Sequence, residues 1–152
     1  MAASPPYDLS HFRHSTPIQV RWADLDALGH VNNAKFLTYI EQARITYTDA
    51  LALWDGSSSR LGLIMARVVL DFKLPMFAQD QVRVLTRVAR LGRSSFDIHS
   101  LVVRHTPDQT DQITGDSRVT VVVYDYEHNQ PTAIPLEWRE KLIAYEPAPI
   151  DQ

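Results

Sequence analysis

The chain has no cysteine, which removes disulfides, thiolate metal sites and cysteine nucleophiles together. Glycine is scarce, with five among 152 residues. No glycine loop of the phosphate-cradling kind, Rossmann fingerprint or Gly-x-Ser-x-Gly elbow is found. No apolar run is long enough to span a bilayer. The opening MAASPPYDLS lacks the basic-then-apolar pattern of a signal peptide, so a cytoplasmic location is expected. Charge of one sign is also missing. A net charge of -3 points to neither nucleic acid nor an anionic membrane as partner.

What is present fits an ordinary soluble domain. A hydrophobic fraction of 45% and a charged fraction of 22% over 152 residues are enough for one domain with a genuine core. Residues 1–16, rich in proline, serine and histidine, read as a flexible N-terminal arm, and residues 17–152 as a single domain. PIQVRW is expected to be a short strand. From Ala34 to about Leu53 there is neither proline nor glycine. Phe36, Ile40, Ala43, Tyr47 and Leu51 recur there at the spacing of one helical face. Gly56, in DGSSSR, is the expected stop.

The period then changes from helical to alternating. Ile64, Ala66, Val68, Leu70 and Phe72 share one face of a strand, and Arg67, Asp71 and Lys73 take the other. Pro75 closes it. Val82, Val84, Thr86 and Val88 mark the next strand, LGRSS a turn, and Phe96 to Arg104 a third, with Ile98 and Val102 inward. HTPDQTDQITGD reads as a polar loop before the strand SRVTVVVYDY. IPLEWREKLIAYE reads as a closing helix with proline near its first turn. Consecutive strands with short links pair antiparallel, and one sheet needs cover for its apolar face. The expected fold class is therefore α+β, with an antiparallel sheet curled around one central helix.

The stretch RWADLDALGHVNNAKF, Arg21 to Phe36, stands between the first strand and that helix. A helix beginning near Val31 to Ala34 leaves backbone N–H groups without intrahelical partners, and its dipole favours negative charge nearby. Asn32 or Asn33 suits the cap, and Gly29 suits an unusual backbone conformation. Asp24 or Asp26 held there would be favoured ionised. A carboxylate beside aimed N–H donors is a workable catalytic pair: one attacks or activates water, the other stabilises an oxyanion. Capping and turn formation alone explain much of DLDALGHVNN. One helix start needs only one or two caps, however, and six polar or turn residues crowd ten positions.

Asp26-x-x-Gly29-His30-Val31-Asn32-Asn33-x-x-Phe36, after Trp22-x-Asp24, resembles the signature of the 4-hydroxybenzoyl-CoA thioesterase family, and is similar to acyl-acyl-carrier-protein thioesterases. YIEQARITY, DFKLPM, RLGRSSF and IPLEWREKL extend the resemblance over nearly the whole chain. The resemblance implies a hotdog fold and hydrolysis of an acyl-CoA to free acid and coenzyme A, with no metal or redox cofactor. It also implies a homo-oligomer, dimer or homotetramer, with active sites at subunit boundaries. By position Asp26 matches the catalytic aspartate, as nucleophile or general base. Gly29, His30 and Val31 match the segment whose amides polarise the thioester carbonyl, and Asn33 is a candidate substrate contact beside them. Plant-type enzymes carry Asn where this chain has Leu28, which favours the coenzyme A type and leaves His30 a helper or a structural residue rather than an essential base. An acyl-carrier-protein thioesterase and a non-catalytic acyl-thioester-binding protein remain as alternatives.

Arg90, Arg93, Ser94 and Ser95, around a glycine turn, suit the phosphates of coenzyme A, and equally an ordinary solvated turn. Glu41 and Arg44 are spaced for an intrahelical pair. His11 and His14 have a metal-like spacing without acidic or thiol partners, and are read as solvent-exposed.

Overall fold

The computed structural model describes residues 7–53, 60–108 and 110–152. The first six residues of the expected arm and Gly56, the expected helix stop, lie outside the described residues. The elements follow in the order β1 (His14–Ile18), α1 (Asn33–Ala50), β2 (Leu61–Phe72), β3 (Gln81–Leu91), β4 (Ser95–His105), β5 (Asp111–Asp125), β6 (Gln130–Pro131) and α2 (Leu136–Tyr145). The sheet order is β1-β3-β4-β5-β2, with β6 beside β5 and every neighbouring pair antiparallel. The sheet curls around α1, as the hotdog arrangement requires.

The face of α1 expected to be apolar is the buried one: Phe36, Ile40, Ala43, Tyr47 and Leu51 are all in the core, joined by Tyr39. Alternate residues of the sheet meet them, among them Val84 and Val88 of β3, Ile98 and Val102 of β4, and Val119 and Val121 of β5. Near Phe36 the helix approaches the sheet closely at Gly115. A Cβ built there would lie 3.1 Å from the Phe36 ring and 3.4 Å from Val102. The helix ends at Ala50, earlier than expected, with Ala52 in the left-handed region at φ 47°.

Several boundaries differ from the expectation for identifiable reasons. β1 starts at His14, inside the expected arm, and stops at Ile18, since Trp22–Asp24 form a 3-10 turn. Tyr7, Leu9 and Phe12 pack on the outer face of the sheet against Leu85, Leu101 and Val103. His14, read as exposed, is half-buried, with its ring nitrogens 3.2 Å from the Tyr145 and Thr46 hydroxyls. β5 begins at Asp111, so much of the expected polar loop is strand. Its polar residues find partners across the hairpin, as Asp111 does with His105 at 2.9 Å. In β2 a bulge between Met65 and Arg67 shifts the alternation. Leu61 and Leu63 before it, and Val68 and Leu70 after it, pack on the core, while Ile64, expected inward, is exposed.

The close approach at Gly115 is open to test. Gly115→Ala is expected to lower stability by about 1–3 kcal/mol through overpacking, read as a lower urea midpoint at unchanged m value.

Candidate active site

The segment before α1 is built by its own side chains. Asp24 is fully buried. Its Oδ2 accepts from the Arg21 amide at 3.0 Å and the Tyr39 hydroxyl at 2.8 Å, and its Oδ1 from the Arg21 guanidinium at 2.9 Å. Burial alone would raise this carboxyl, but the bonds from Arg21 and Tyr39 outweigh it and bring the pKa down to about 2. The Asp24 carbonyl in turn accepts from the Asn32 amide at 2.8 Å, which ties the turn to the helix start. Asp24 is thus the anchor of the segment and has no access to a substrate.

Asp26 has the opposite setting. Its Oδ1 accepts from the amides of Leu28 at 2.9 Å and His30 at 3.1 Å, closing a tight loop. Among the described residues nothing donates to its Oδ2. Gly29, at φ 78°, gives the loop its left-handed corner, and a Cβ there would meet nothing within 4 Å. The backbone conformation, rather than lack of space, calls for glycine. Val31 N–H donates to the Met76 carbonyl at 2.8 Å, which ties the loop to the chain leaving β2. A cleft of about 260 Å³ lies between the two segments, lined by Asp26, His30, Val31, Asn33 and Phe36 on one side and residues 72–75 on the other.

The amides expected to polarise a carbonyl are occupied. Gly29 N–H donates to the Asp26 carbonyl at 3.1 Å, His30 to the Asp26 carboxylate and Val31 to Met76. Ala34 N–H is capped by Asn32 Oδ1 at 2.9 Å, and Lys35 N–H reaches the Asn32 carbonyl at 2.8 Å. The Asn33 amide, first in α1, has no acceptor among the described residues. The donor available beside Asp26 is therefore that of Asn33, and this corrects the expectation placed on Gly29, His30 and Val31. A loop held this tightly consumes its own N–H groups.

Residues 72–75 were not expected at the site. Phe72 meets the Phe36 ring edge-to-face with centroids 5.1 Å apart, and Lys73 lines the cleft with its ammonium 3.6 Å from the Asp71 carboxylate. The signal for them lies in DFKLPM, where proline ends a strand and leaves its last side chains to face the helix start. His30 lies edge-to-face with Phe77 at 5.1 Å, which fixes its ring at the cleft wall.

Arg90, Arg93, Ser94 and Ser95 stand elsewhere. Phe72 pairs with Gly115, and Ser95 with Val122. Seven residues of β5 separate the two places, roughly 23 Å at about 3.3 Å per residue. Arg90 is also engaged, in a two-point pair with Asp97 at 2.7 and 3.2 Å and a longer contact to Ser95 Oγ. It is corrected from a free phosphate ligand to a partner of Asp97. Arg93 and Ser94 line a separate cleft of about 360 Å³ with residues 130–133.

Among the described residues Asp125, Glu127 and His128 form a metal-like grouping, away from the cleft. Asp125 already accepts from Arg60 at 2.7 Å and from the Glu127 and His128 amides, as a structural corner does. Among the described residues no helix is long and apolar enough to cross a membrane.

Residues 20–142 match the thioesterase-like superfamily. The long-chain acyl-CoA thioesterase FadM of Escherichia coli K12 is 27% identical over 137 residues, 84% of this chain and 95% of FadM. A thioesterase from Thermus thermophilus, solved with coenzyme A and zinc, is 33% identical, with a TM-score of 0.78 over 92% of this chain and 98% of that one. A 4-hydroxybenzoyl CoA thioesterase mutant complexed with 4-hydroxybenzoyl CoA shares the fold at 16% identity, with a TM-score of 0.74 over 84% and 96% of the two chains. The chain belongs to the thioesterase-like superfamily and is a thioester hydrolase.

The depressed Asp24 carboxyl has a testable sign. Its stabilisation is fully present above the ordinary carboxylate pKa of about 4 and is lost as pH falls through its folded value of about 2. Asp24→Asn should lower stability near neutrality by about 2 kcal/mol. Its thermal midpoint should then fall less steeply than the parent's between those two pH values.

Proposed function

We propose that the chain hydrolyses acyl-CoA to a free carboxylic acid and coenzyme A. The observation that carries this is the pairing of Asp26 with the free Asn33 amide in one cleft, while Asp24 and the other amides are tied up. The thioester carbonyl oxygen accepts from Asn33 N–H at the positive end of α1, where developing negative charge is stabilised. Asp26 then acts on the carbonyl carbon, either by direct attack or by taking the proton of an attacking water. The C–S bond breaks, and the thiolate of coenzyme A leaves and is protonated. In the direct route, water then hydrolyses the anhydride formed with Asp26. Coenzyme A as carrier is supported by FadM, named an acyl-CoA thioesterase, and by the Thermus enzyme solved with coenzyme A.

A second copy of the chain completes the site in this reading. Among the described residues β2 is an edge strand of twelve residues with exposed Ile64, Met65, Val69 and Phe72, and such an edge pairs readily with another strand. Antiparallel pairing of β2 with its copy, about a two-fold axis near its middle, pairs this edge and brings the outward Ile64 and Val69 against their copies. It also turns the far end of one sheet toward the cleft of the other. Arg93 of the partner subunit and Ser94 of the partner subunit then serve the coenzyme A phosphates. The homotetramer implied by the resemblance is a pair of such dimers.

Two substitutions test the chemistry. Asp26→Asn keeps the Oδ1 acceptor of the loop and should lower kcat at least about a hundredfold, with fold and assembly unchanged by circular dichroism and light scattering. Asn33→Pro removes this amide proton, together with the Asn33 side chain, at a first helical position where proline is tolerated, and Asn33→Ala, which keeps the proton, is the control. The preceding Asn32, at φ -59° and ψ 136°, already has a backbone compatible with it. The proline change should lower kcat about 100- to 1,000-fold while α1 persists. Undiminished release of thiol from acyl-CoA by Asp26→Asn or Asn33→Pro sinks the assignment.

For the assembly, Ile64→Glu combined with Val69→Lys, both on the outward side of β2, should give a folded monomer of much reduced activity. A doubly substituted protein of unchanged molar mass would remove β2 as the interface.

A further inference from the structure

The inner face of the sheet carries a polar row that the chemistry above does not use. Thr86 of β3 stands opposite Ser100 of β4, and Ser100 opposite Ser117 of β5. All three are fully buried, and their hydroxyls have no hydrogen-bond partner among the described residues. The buried hydroxyl of Thr114, by contrast, donates to the Val102 carbonyl at 3.0 Å. Burying a hydroxyl without a partner is unfavourable, and three in one row across three strands ask for something polar to meet them.

Their position says what that is. Gly115, Ser117 and Val119 are successive inward positions of β5. Gly115 lies under Phe36, which lines the Asp26 cleft. Val119 lies in a second cavity of about 130 Å³, with Leu37 and Ile40 of α1 and Met65 of β2. Both cavities lie along the same seam, between α1 and the β5–β2 edge of the sheet. Ser117 is the inward position between Gly115 and Val119; it is buried and lines neither cavity, with Ser100 and Thr86 behind it across the sheet. A chain that starts at the Asn33 amide and follows this apolar seam passes Ser117 after one helical turn and one two-residue strand step, on the order of 10 Å from the carbonyl.

We infer that the Ser117–Ser100–Thr86 row is a polar subsite of the acyl groove, and that it takes a hydroxyl or keto oxygen carried part-way along the acyl chain. The inference rests on the hydrolase reading for its direction, since the groove begins at the cleft of Asp26. A plain acyl chain leaves the row unmatched, whereas an oxygenated one supplies the missing partner at the depth of Ser117.

The test uses acyl-CoAs of one chain length, plain or with the hydroxyl moved along the chain, together with their non-hydrolysable thioether analogues. Turnover is followed by thiol release and binding by calorimetry. The parent protein should favour one hydroxyl position over the plain chain by about tenfold, the size of one net hydrogen bond. That ratio should fall towards one in the triple variant Thr86→Val, Ser100→Ala, Ser117→Ala, and most of the way in Ser117→Ala alone should the triple variant misfold. A merely structural row would move the melting temperature and leave the ratio unchanged. Absence of a preferred position in the parent, or its survival in the variants, overturns the inference. Binding with a hydroxyl preference but no turnover would keep the subsite and remove the hydrolase reading. Turnover without preference would do the reverse.

Discussion

Asp24 is a carboxylate with no exposure, placed shortly before the start of the central helix, and the rest of the site is arranged around it. Its side chain gathers Arg21 and Tyr39, and its carbonyl takes the Asn32 amide. Tyr39 belongs to α1, so this one residue sets both the path of the turn and its position against the helix. The turn has few ways left to run after that. Asp26 closes the next loop on itself, Val31 bonds to the chain leaving β2, and Asn32 caps the helix. A buried charge tolerates little displacement, because moving it breaks bonds that offset its desolvation.

This explains how two aspartates two residues apart come to differ so completely. Asp24 is consumed by structure, and Asp26 keeps one oxygen out of the loop it builds. The same competition separates the amides. Among the described residues each N–H from Gly29 to Lys35 has an acceptor except that of Asn33. A carboxylate oxygen and an N–H donor left over on one cleft are the pair on which the proposed hydrolysis rests.

The seam beyond the cleft follows from the sheet. α1 packs on β1, β3 and β4 and reaches β5 at Gly115, while β2 continues the sheet past it as an exposed edge. The seam left between helix and edge is apolar where Phe36, Leu37 and Ile40 line it, and the buried Ser117 is the inward position of β5 between Gly115 and Val119. The bulge in β2 contributes as well. By reversing which side chains face inward it leaves Ile64 and Val69 on the outer side, and so gives the edge an apolar character that a regular strand would have hidden.

Much of this was legible in the residues. The spacing of Phe36, Ile40, Ala43 and Tyr47 specified the buried face of α1, because helical periodicity is a local property of the chain. Alternation marked three of the long strands, and the crowding of Asp, Gly and Asn before the helix marked the site. The bulge in β2, the strand hidden in a polar loop and the half-burial of His14 depend on what lies across the sheet, which no local pattern records. Sequence alone therefore determined a helix wrapped by a sheet with a carboxylate at its start. Only the tertiary structure decided which carboxylate stays accessible, which amide stays unpaired and which arginine is already matched. Those choices are made by hydrogen-bond competition among residues that the fold, rather than the chain, makes neighbours.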